Sequence, residues 1–70
     1  MTAKEMFEKL GYEERKETTS MNCIKSYINK NHMHIIYFDN DKQIDIGAIM
    51  ITFELLQAIN KQVEELGWNK

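Results

Sequence analysis

The stretch from Asn22 to Ile46, NCIKSYINKNHMHIIYFDNDKQIDI, decides the fold of this 70-residue chain. Its first part alternates in side-chain character with a period of two, which is typical of a β-strand. Residues 29–31 (Asn-Lys-Asn) and 39–42 (Asp-Asn-Asp-Lys) are residue types that favour tight turns. The stretch therefore predicts three strands, over residues 22–28, 32–38 and 43–46, joined in an antiparallel meander.

The strand register is predicted by requiring that the apolar side chains of neighbouring strands lie on the same face of the sheet. A three-residue first loop places Ile24 opposite Ile36, and a similar second loop places Ile36 opposite Ile46 and Phe38 opposite Ile44. One face of the sheet then becomes continuously apolar, as packing against helices requires. Four further side chains point to the other face in this register: Tyr27, Met33, Ile35 and Tyr37.

A helix is predicted before the sheet. Thr2 and Glu5 have the spacing of a capping box, in which each side chain accepts a hydrogen bond from the other residue's backbone N–H. The apolar side chains of the following residues repeat at helical spacing up to Leu10, and Gly11 is a natural residue for the left-handed position that ends a helix. Residues 13–20 show no periodicity, so they are either a connection or a short edge strand.

A second helix is predicted after the sheet. Thr52 is its expected N-cap, and Gly67 follows its last turn. The apolar stripe of this helix consists of Leu56, Ile59, Val63 and Leu66, widened by Leu55 and Gln62. With both helices on one face of the sheet, the sequence predicts a single α+β domain over residues 1–70 in the order α-β-β-β-α, a three-stranded antiparallel meander packed against two amphipathic helices.

Three segments also resemble a family of small proteins carried by phages and prophages of Gram-positive bacteria. They are residues 3–12 (AKEMFEKLGY), residues 36–38 (IYF) and residues 51–68 (ITFELLQAINKQVEELGW). The resemblance covers nearly the whole chain and is weakest over residues 13–30. It implies an origin on a mobile element and brings no catalytic motif with it.

Composition excludes several classes of function. The net charge is −2 and the nine basic residues are scattered, whereas a nucleic-acid backbone selects a concentrated basic stripe. Nucleic acid is therefore an unfavoured partner. No run of residues has the length and hydrophobicity of a membrane span, and the start of the chain lacks the pattern of a signal peptide. Cys23 is the only cysteine. A reducing, cytoplasmic location, in a bacterial host, is the simplest expectation.

Metal binding and catalysis find little support in the sequence. His32 and His34 are spaced to lie on one face of a strand, which makes them weak candidates for metal ligands, but no third ligand accompanies them. Cys23 or a serine would need a base and an orienting group to act as a nucleophile, and none is indicated. With three glycines in all, the chain has no phosphate-binding loop. We therefore expect no enzyme, no metal site and no cofactor.

Two classes of function remain. The first is an interaction protein that uses the exposed sheet face, Tyr27, Met33, Ile35 and Tyr37, to bind a host protein or a second copy of itself, as in a homodimer. A sheet with two apolar faces is equally typical of a strand that is covered on both sides, in which case these residues are core. The alternative class is a weak nucleic-acid or small-ligand binder using Lys25, Lys30 and nearby aromatic rings.

Overall fold

The structure, a computed structural model, describes residues 1–16, 22–47 and 50–68. Its sheet is antiparallel throughout, with the strands in sequence order, and the predicted α+β class is confirmed. The sheet has four strands rather than three, because Glu13 and Glu14 pair with Ile28 and Tyr27. The elements are α1 (Ala3–Lys9), β1 (Glu13–Glu14), β2 (Cys23–Asn29), β3 (His34–Asp39), β4 (Ile44–Asp45) and α2 (Phe53–Glu65).

Both helices begin at the predicted threonines. The Thr2 hydroxyl accepts a hydrogen bond from the Glu5 backbone N–H, and the Glu5 carboxylate accepts one from the Thr2 N–H at 2.8 Å. The Thr52 hydroxyl accepts the Leu55 N–H at 3.1 Å. Each cap satisfies a donor that the first turn of a helix leaves free.

Both helices also end in the same way. Gly11 and Gly67 take positive φ angles of 90° and 76°, a conformation that glycine adopts without steric cost. The Tyr12 N–H then donates to the Phe7 carbonyl at 3.0 Å, and the equivalent bond after α2 joins Trp68 to the residue five positions before it at 3.2 Å. These are Schellman endings. The Tyr12 ring folds back on Phe7 edge-on, 5.7 Å between centroids, as its position predicts.

The predicted register of the first hairpin is wrong. Asn29 remains in β2 opposite His34, so the turn comprises residues 30–33, and Tyr27 rather than Ile24 lies opposite Ile36. The Asn29 side chain accepts the backbone N–H of Asn31 at 3.1 Å, which holds this four-residue turn. In the second hairpin, Phe38 lies opposite Ile44 as predicted.

The corrected register moves Tyr27 into the core. Its ring is 1 % exposed and stacks on Phe7, with 4.0 Å between the centroids. Its hydroxyl donates to the Oε1 atom of Gln62, which is itself buried on α2. Burial, reinforced by surrounding glutamates, raises the pKa of Tyr27 well above its ordinary value. A tyrosine with a buried partner for its hydroxyl is a core residue, so it cannot belong to an exposed face.

Both helices pack on the face of the sheet that carries Tyr27. The core comprises Ala3, Phe7, Tyr12, Tyr27, Ile36, Phe38, Leu55, Ala58 and Ile59. The buried stripe of α2 is rotated from the predicted one, because Leu55 and Ala58 face the core whereas Leu56 is 45 % exposed. An apolar residue is thus left on the surface at the beginning of α2.

Candidate functional site

The outer face of the sheet is less open than the sequence predicts. Ile35 and Tyr37 do lie there, together with Ile28, but all three are partly buried. The Arg15 guanidinium reaches across β2 and donates to the Tyr37 hydroxyl at 3.3 Å. Ser26, opposite Tyr37, is fully buried, and its hydroxyl has no hydrogen-bond partner among the described residues. This face is therefore not a freely exposed apolar patch.

Met33 occupies a different place from the one predicted. It lies in the turn between β2 and β3, where its φ angle of 51° is in the left-handed region, and its side chain is 78 % exposed. Residues with a β-carbon take this conformation at a cost of about 1–2 kcal/mol. The turn therefore presents a long apolar side chain to solvent at the expense of backbone strain.

An open groove lies beside this turn. It has a volume of about 640 Å³ and runs between the end of α1, the first hairpin and the segment that leads into α2. The side chains that line it are aliphatic, aromatic or uncharged polar groups together with two histidines. The lining residues are Leu10, Tyr12, Asn29, His32, Met33, His34, Gly47, Met50, Thr52 and Leu55. We call this feature the groove.

His34 holds together the segments that form the groove. One ring nitrogen, Nε2, lies 2.5 Å from the carbonyl oxygen of Ile46, and the other, Nδ1, lies 2.5 Å from the Tyr12 hydroxyl. A carbonyl oxygen only accepts hydrogen bonds, so Nε2 carries the proton and Nδ1 accepts from Tyr12 in the neutral ring. Burial raises the pKa of Tyr12, which keeps its hydroxyl protonated for this role.

The histidines do not meet the requirements of a metal site. His32 lies in the turn, not in β3, so the premise that it shares a strand face with His34 is wrong. Both nitrogens of His34 are already in hydrogen bonds. Within residues 1–16, 22–47 and 50–68, no cluster of three or more histidine, cysteine or acidic side chains is placed to hold a metal ion.

A row of exposed apolar side chains adjoins the groove where the chain enters α2. Phe53 is 68 % exposed and Met50 is 84 % exposed. Ile51 and Leu56 are exposed to a smaller degree. We call these four residues the apolar ridge. It borders the groove directly, because Met50 belongs to both and Thr52 and Leu55 line the groove from the same helical turn.

The side chains considered for nucleic-acid binding and for catalysis form other contacts. Lys25 forms an ion pair with Glu14 at 3.0 Å, and Lys30 forms one with Glu13 at 3.3 Å. The thiol of Cys23 donates to the carbonyl of Lys25 and is not among the groove residues. The two lysines proposed for nucleic-acid binding are thus compensated by neighbouring carboxylates.

Comparisons with known proteins are negative. The chain matches no protein-family model, no curated protein and no solved structure. In the part of the chain that the structure describes, neither helix is long and apolar enough to cross a membrane.

The sequence contains a signal for the apolar ridge that helical periodicity does not identify. Met50 and Ile51 belong to an apolar run, residues 47–51, whose pattern is compatible with an extension of the third predicted strand, but β4 comprises only Ile44–Asp45. Phe53 lies outside the helical stripe that faces the core. Large apolar residues without a place in a core are candidates for a surface that binds. The groove itself has no such signal, since it depends on three segments brought together by the fold.

Proposed function

We propose that this protein is not an enzyme and acts by binding another protein through the groove and the apolar ridge. The observation that carries the proposal is the distribution of exposed apolar side chains. The described residues include seven large hydrophobic side chains that are exposed, and five of them belong to the groove or the apolar ridge. The five are Met33, Met50, Ile51, Phe53 and Leu56.

The size of this surface supports an interaction. A large side chain exposes roughly 200 Å² when fully open, so the five exposed fractions together leave about 600 Å² of mainly apolar surface. Apolar patches on monomeric proteins reach about 300–600 Å² and are often functional at the upper end of that range. An apolar surface of this size is a reasonable half of a specific interface.

The chemistry of the surface indicates the kind of partner. Met33 and Met50 have flexible, polarisable side chains, which adapt to the shape of an apolar partner. Among the described residues, no lysine, arginine, aspartate or glutamate lines the groove. Selection of a strongly charged ligand would call for opposite charges there, so the surface fits a predominantly apolar and uncharged protein segment.

The arrangement offers little to catalysis. The nucleophile and base of an enzyme must be free to exchange a proton with a substrate. In the groove, the imidazole of His34 instead bridges a phenol and a backbone carbonyl. The partly buried lining is therefore better suited to holding a side chain than to transforming a substrate.

The resemblance to small phage and prophage proteins suggests where the partner is found. A protein of this type would work in the cytosol of a bacterial host, as an accessory factor that binds and modulates a host protein or associates with itself. Ile35 and Tyr37, on the outer sheet face, remain as predicted contacts of secondary importance because they are partly buried. Tyr27 is removed from the set because it is core.

The test is a comparison of capture by matched variants. Phe53→Glu places a charge on the apolar ridge, and Ile24→Glu is the control, because Ile24 is exposed at the other end of β2. Both variants should retain the circular dichroism spectrum of the parent. We expect a host protein that is retained by the parent and by Ile24→Glu to be lost with Phe53→Glu. Once purified, that host protein should bind the parent and Ile24→Glu with similar affinity and Phe53→Glu more weakly. Equal binding by both variants would exclude this surface.

A further inference from the structure

We infer that the groove and the apolar ridge receive a second copy of this chain, in a two-fold dimer where the ridge of each copy lies in the groove of the other. This inference rests on the proposed function, because it names the partner of the same surface. One feature is a concave groove and the other is a row of exposed apolar side chains, and each chain carries both.

Their positions in one chain allow reciprocal contact. Thr52 and Leu55 line the groove, whereas Phe53 and Leu56 project from the same two turns of α2 and are exposed. A two-fold axis beside these turns brings each projecting pair to the other copy's groove, so a single surface serves both partners. Contacts of this reciprocal kind define the commonest form of homodimer.

The area is sufficient for such a dimer. About 600 Å² of largely apolar surface on each chain, covered on both copies, removes about 1,200 Å² from solvent. This is the lower limit of the range found for specific interfaces, at which association is reversible rather than obligate. Burial of Phe53 and the two methionines accounts for most of this area, since they are the most exposed members of the surface.

Charge does not oppose the pairing of identical surfaces. A charged groove would oppose this arrangement, because its charges would lose solvent against an apolar ridge without gaining an opposite charge. In the part of the chain that the structure describes, the groove lining has no acidic or basic side chain other than His32 and His34. Glu54 is the only charged residue from Met50 to Leu56. An uncharged surface is compatible with its own copy and offers nothing to a partner selected by charge.

Pairing also supplies stability that the isolated chain lacks. A domain of this size buries barely enough apolar area to offset its chain entropy, and oligomerisation is one common remedy. Binding of the native state to a second copy shifts the folding equilibrium by mass action. We therefore expect the midpoint of thermal unfolding to rise with protein concentration.

The first test measures the mass in solution over a range of concentrations by sedimentation equilibrium. The parent and Ile24→Glu should pass from 8.3 kDa to twice that mass as the concentration increases. Phe53→Glu should raise the dissociation constant by a factor of about ten or more, as expected for loss of a central aromatic contact. A parent protein that stays at the monomer mass up to millimolar concentration overturns the inference.

The second test locates the contact by disulfide cross-linking. Cys23 is first replaced by serine, and Phe53→Cys and Met33→Cys are then made as separate proteins. After mixing under mild oxidation, the reciprocal arrangement predicts a linked pair containing one chain of each type, formed faster than a mixture of Phe53→Cys with Ile24→Cys. Equal rates in the two mixtures, or a dimer abolished by Tyr37→Glu and unaffected by Phe53→Glu, would place the dimer contact elsewhere.

Failure of the dimer and failure of the proposed function give different results. If the parent is monomeric and its host protein is lost with Phe53→Glu, the dimer is contradicted and the proposed binding surface stands. A monomeric parent whose Phe53→Glu variant binds every partner as the parent does contradicts both. Retention of an unidentified protein does not count in favour of the dimer.

Discussion

Two groups of large apolar side chains in this molecule are alike in composition and opposite in environment. Phe7 of α1 contacts Tyr27 and Phe38 of the sheet, and all three are almost completely buried. Met33 and Phe53, at the groove, are mainly exposed. The hydrophobicity of a residue therefore does not by itself decide whether it is buried in this molecule. The decisive factor is where the fold places each residue: the register of β2 and β3 buries Tyr27 and leaves Met33 in a turn, whereas Phe53 lies on the side of α2 that does not face the core.

The largest difference between the two groups should appear when a ring is removed. Phe7→Ala deletes a side chain that stacks on Tyr27, and core deletions of this size cost about 3–5 kcal/mol. A domain of this size has about that much stability in total, so the variant should be largely unfolded. Urea denaturation followed by circular dichroism measures this effect. A well-folded Phe7→Ala protein would contradict the assignment of the core.

A smaller effect is expected from the Tyr27 hydroxyl, which lies in the core. Tyr27→Phe removes the donor to Gln62 and leaves its buried amide oxygen unpaired, at a cost of about 1–3 kcal/mol. Tyr27→Phe combined with Gln62→Leu should recover part of that loss, because both polar partners are then absent. The unfolding free energies of the parent and the three variants form a double-mutant cycle. Additive losses in that cycle would show that the hydrogen bond is not made.

Alkaline pH should weaken the core through the same residue. The folded state raises the pKa of both Tyr27 and Tyr12, mainly by burial, so each is a weaker acid when folded than when unfolded. The unfolded chain therefore releases these protons first, and stability is intact below about pH 10 and declines as the pH rises above it. Unfolding free energy measured from pH 8 to pH 11 should show this decline, with a shallower slope in Tyr27→Phe. An identical slope in that variant would contradict the burial of Tyr27.

At the groove, a substitution should improve stability and impair binding. Met33→Gly relieves the positive φ angle and should stabilise the fold by about 1 kcal/mol while removing an exposed apolar contact. Lys42→Gly is the matched control, since Lys42 has a φ angle of 61° in the second hairpin. Both variants should unfold at higher urea concentration than the parent. We expect weaker dimerisation only in Met33→Gly, and equal association by the two variants would remove Met33 from the surface.

The smallest effect is expected for the apolar ridge in the isolated chain. Phe53→Ser and Leu56→Ser alter exposed positions and should change the unfolding free energy of dilute protein by no more than about 0.5 kcal/mol. The same variants should lose the dependence of the unfolding temperature on protein concentration. Destabilisation of either variant by several kcal/mol at low concentration would show that its side chain belongs to the core.

The elements that depend on local chemistry could be predicted from the sequence. The threonine caps and the glycine endings follow from residues within one turn of the helix they bound, and the structure has them where they were expected. The first hairpin could not be predicted in the same way. The predicted and observed registers differ in where Asn29 lies and in the length of the turn, and Asn is suited both to a loop and to the last position of β2.

That one uncertainty accounts for the error in the predicted site. A loop that begins one residue later and is one residue longer, 30–33 in place of 29–31, puts Tyr27 opposite Ile36 in the core and moves Met33 from a strand into the turn. Ile35 and Tyr37 keep the predicted face because they lie in the part of β3 that the second hairpin also constrains. The groove required the complete fold, since Tyr12, His34 and Ile46 are distant in sequence and meet through one imidazole ring.

The central claim is that Met33 and Met50 lie on a surface that is exposed in the monomer and covered in the dimer. Its most direct test is the rate of methionine oxidation by dilute peroxide, followed residue by residue with mass spectrometry. Met1, Met33 and Met50 are exposed, whereas Met6 is partly buried and packs against the core. In dilute protein, Met33 and Met50 should react as fast as Met1 and several times faster than Met6. In concentrated protein, Met33 and Met50 should become protected while Met1 does not. Slow oxidation of Met33 and Met50 in dilute protein, or no protection of them at high concentration, would contradict the account.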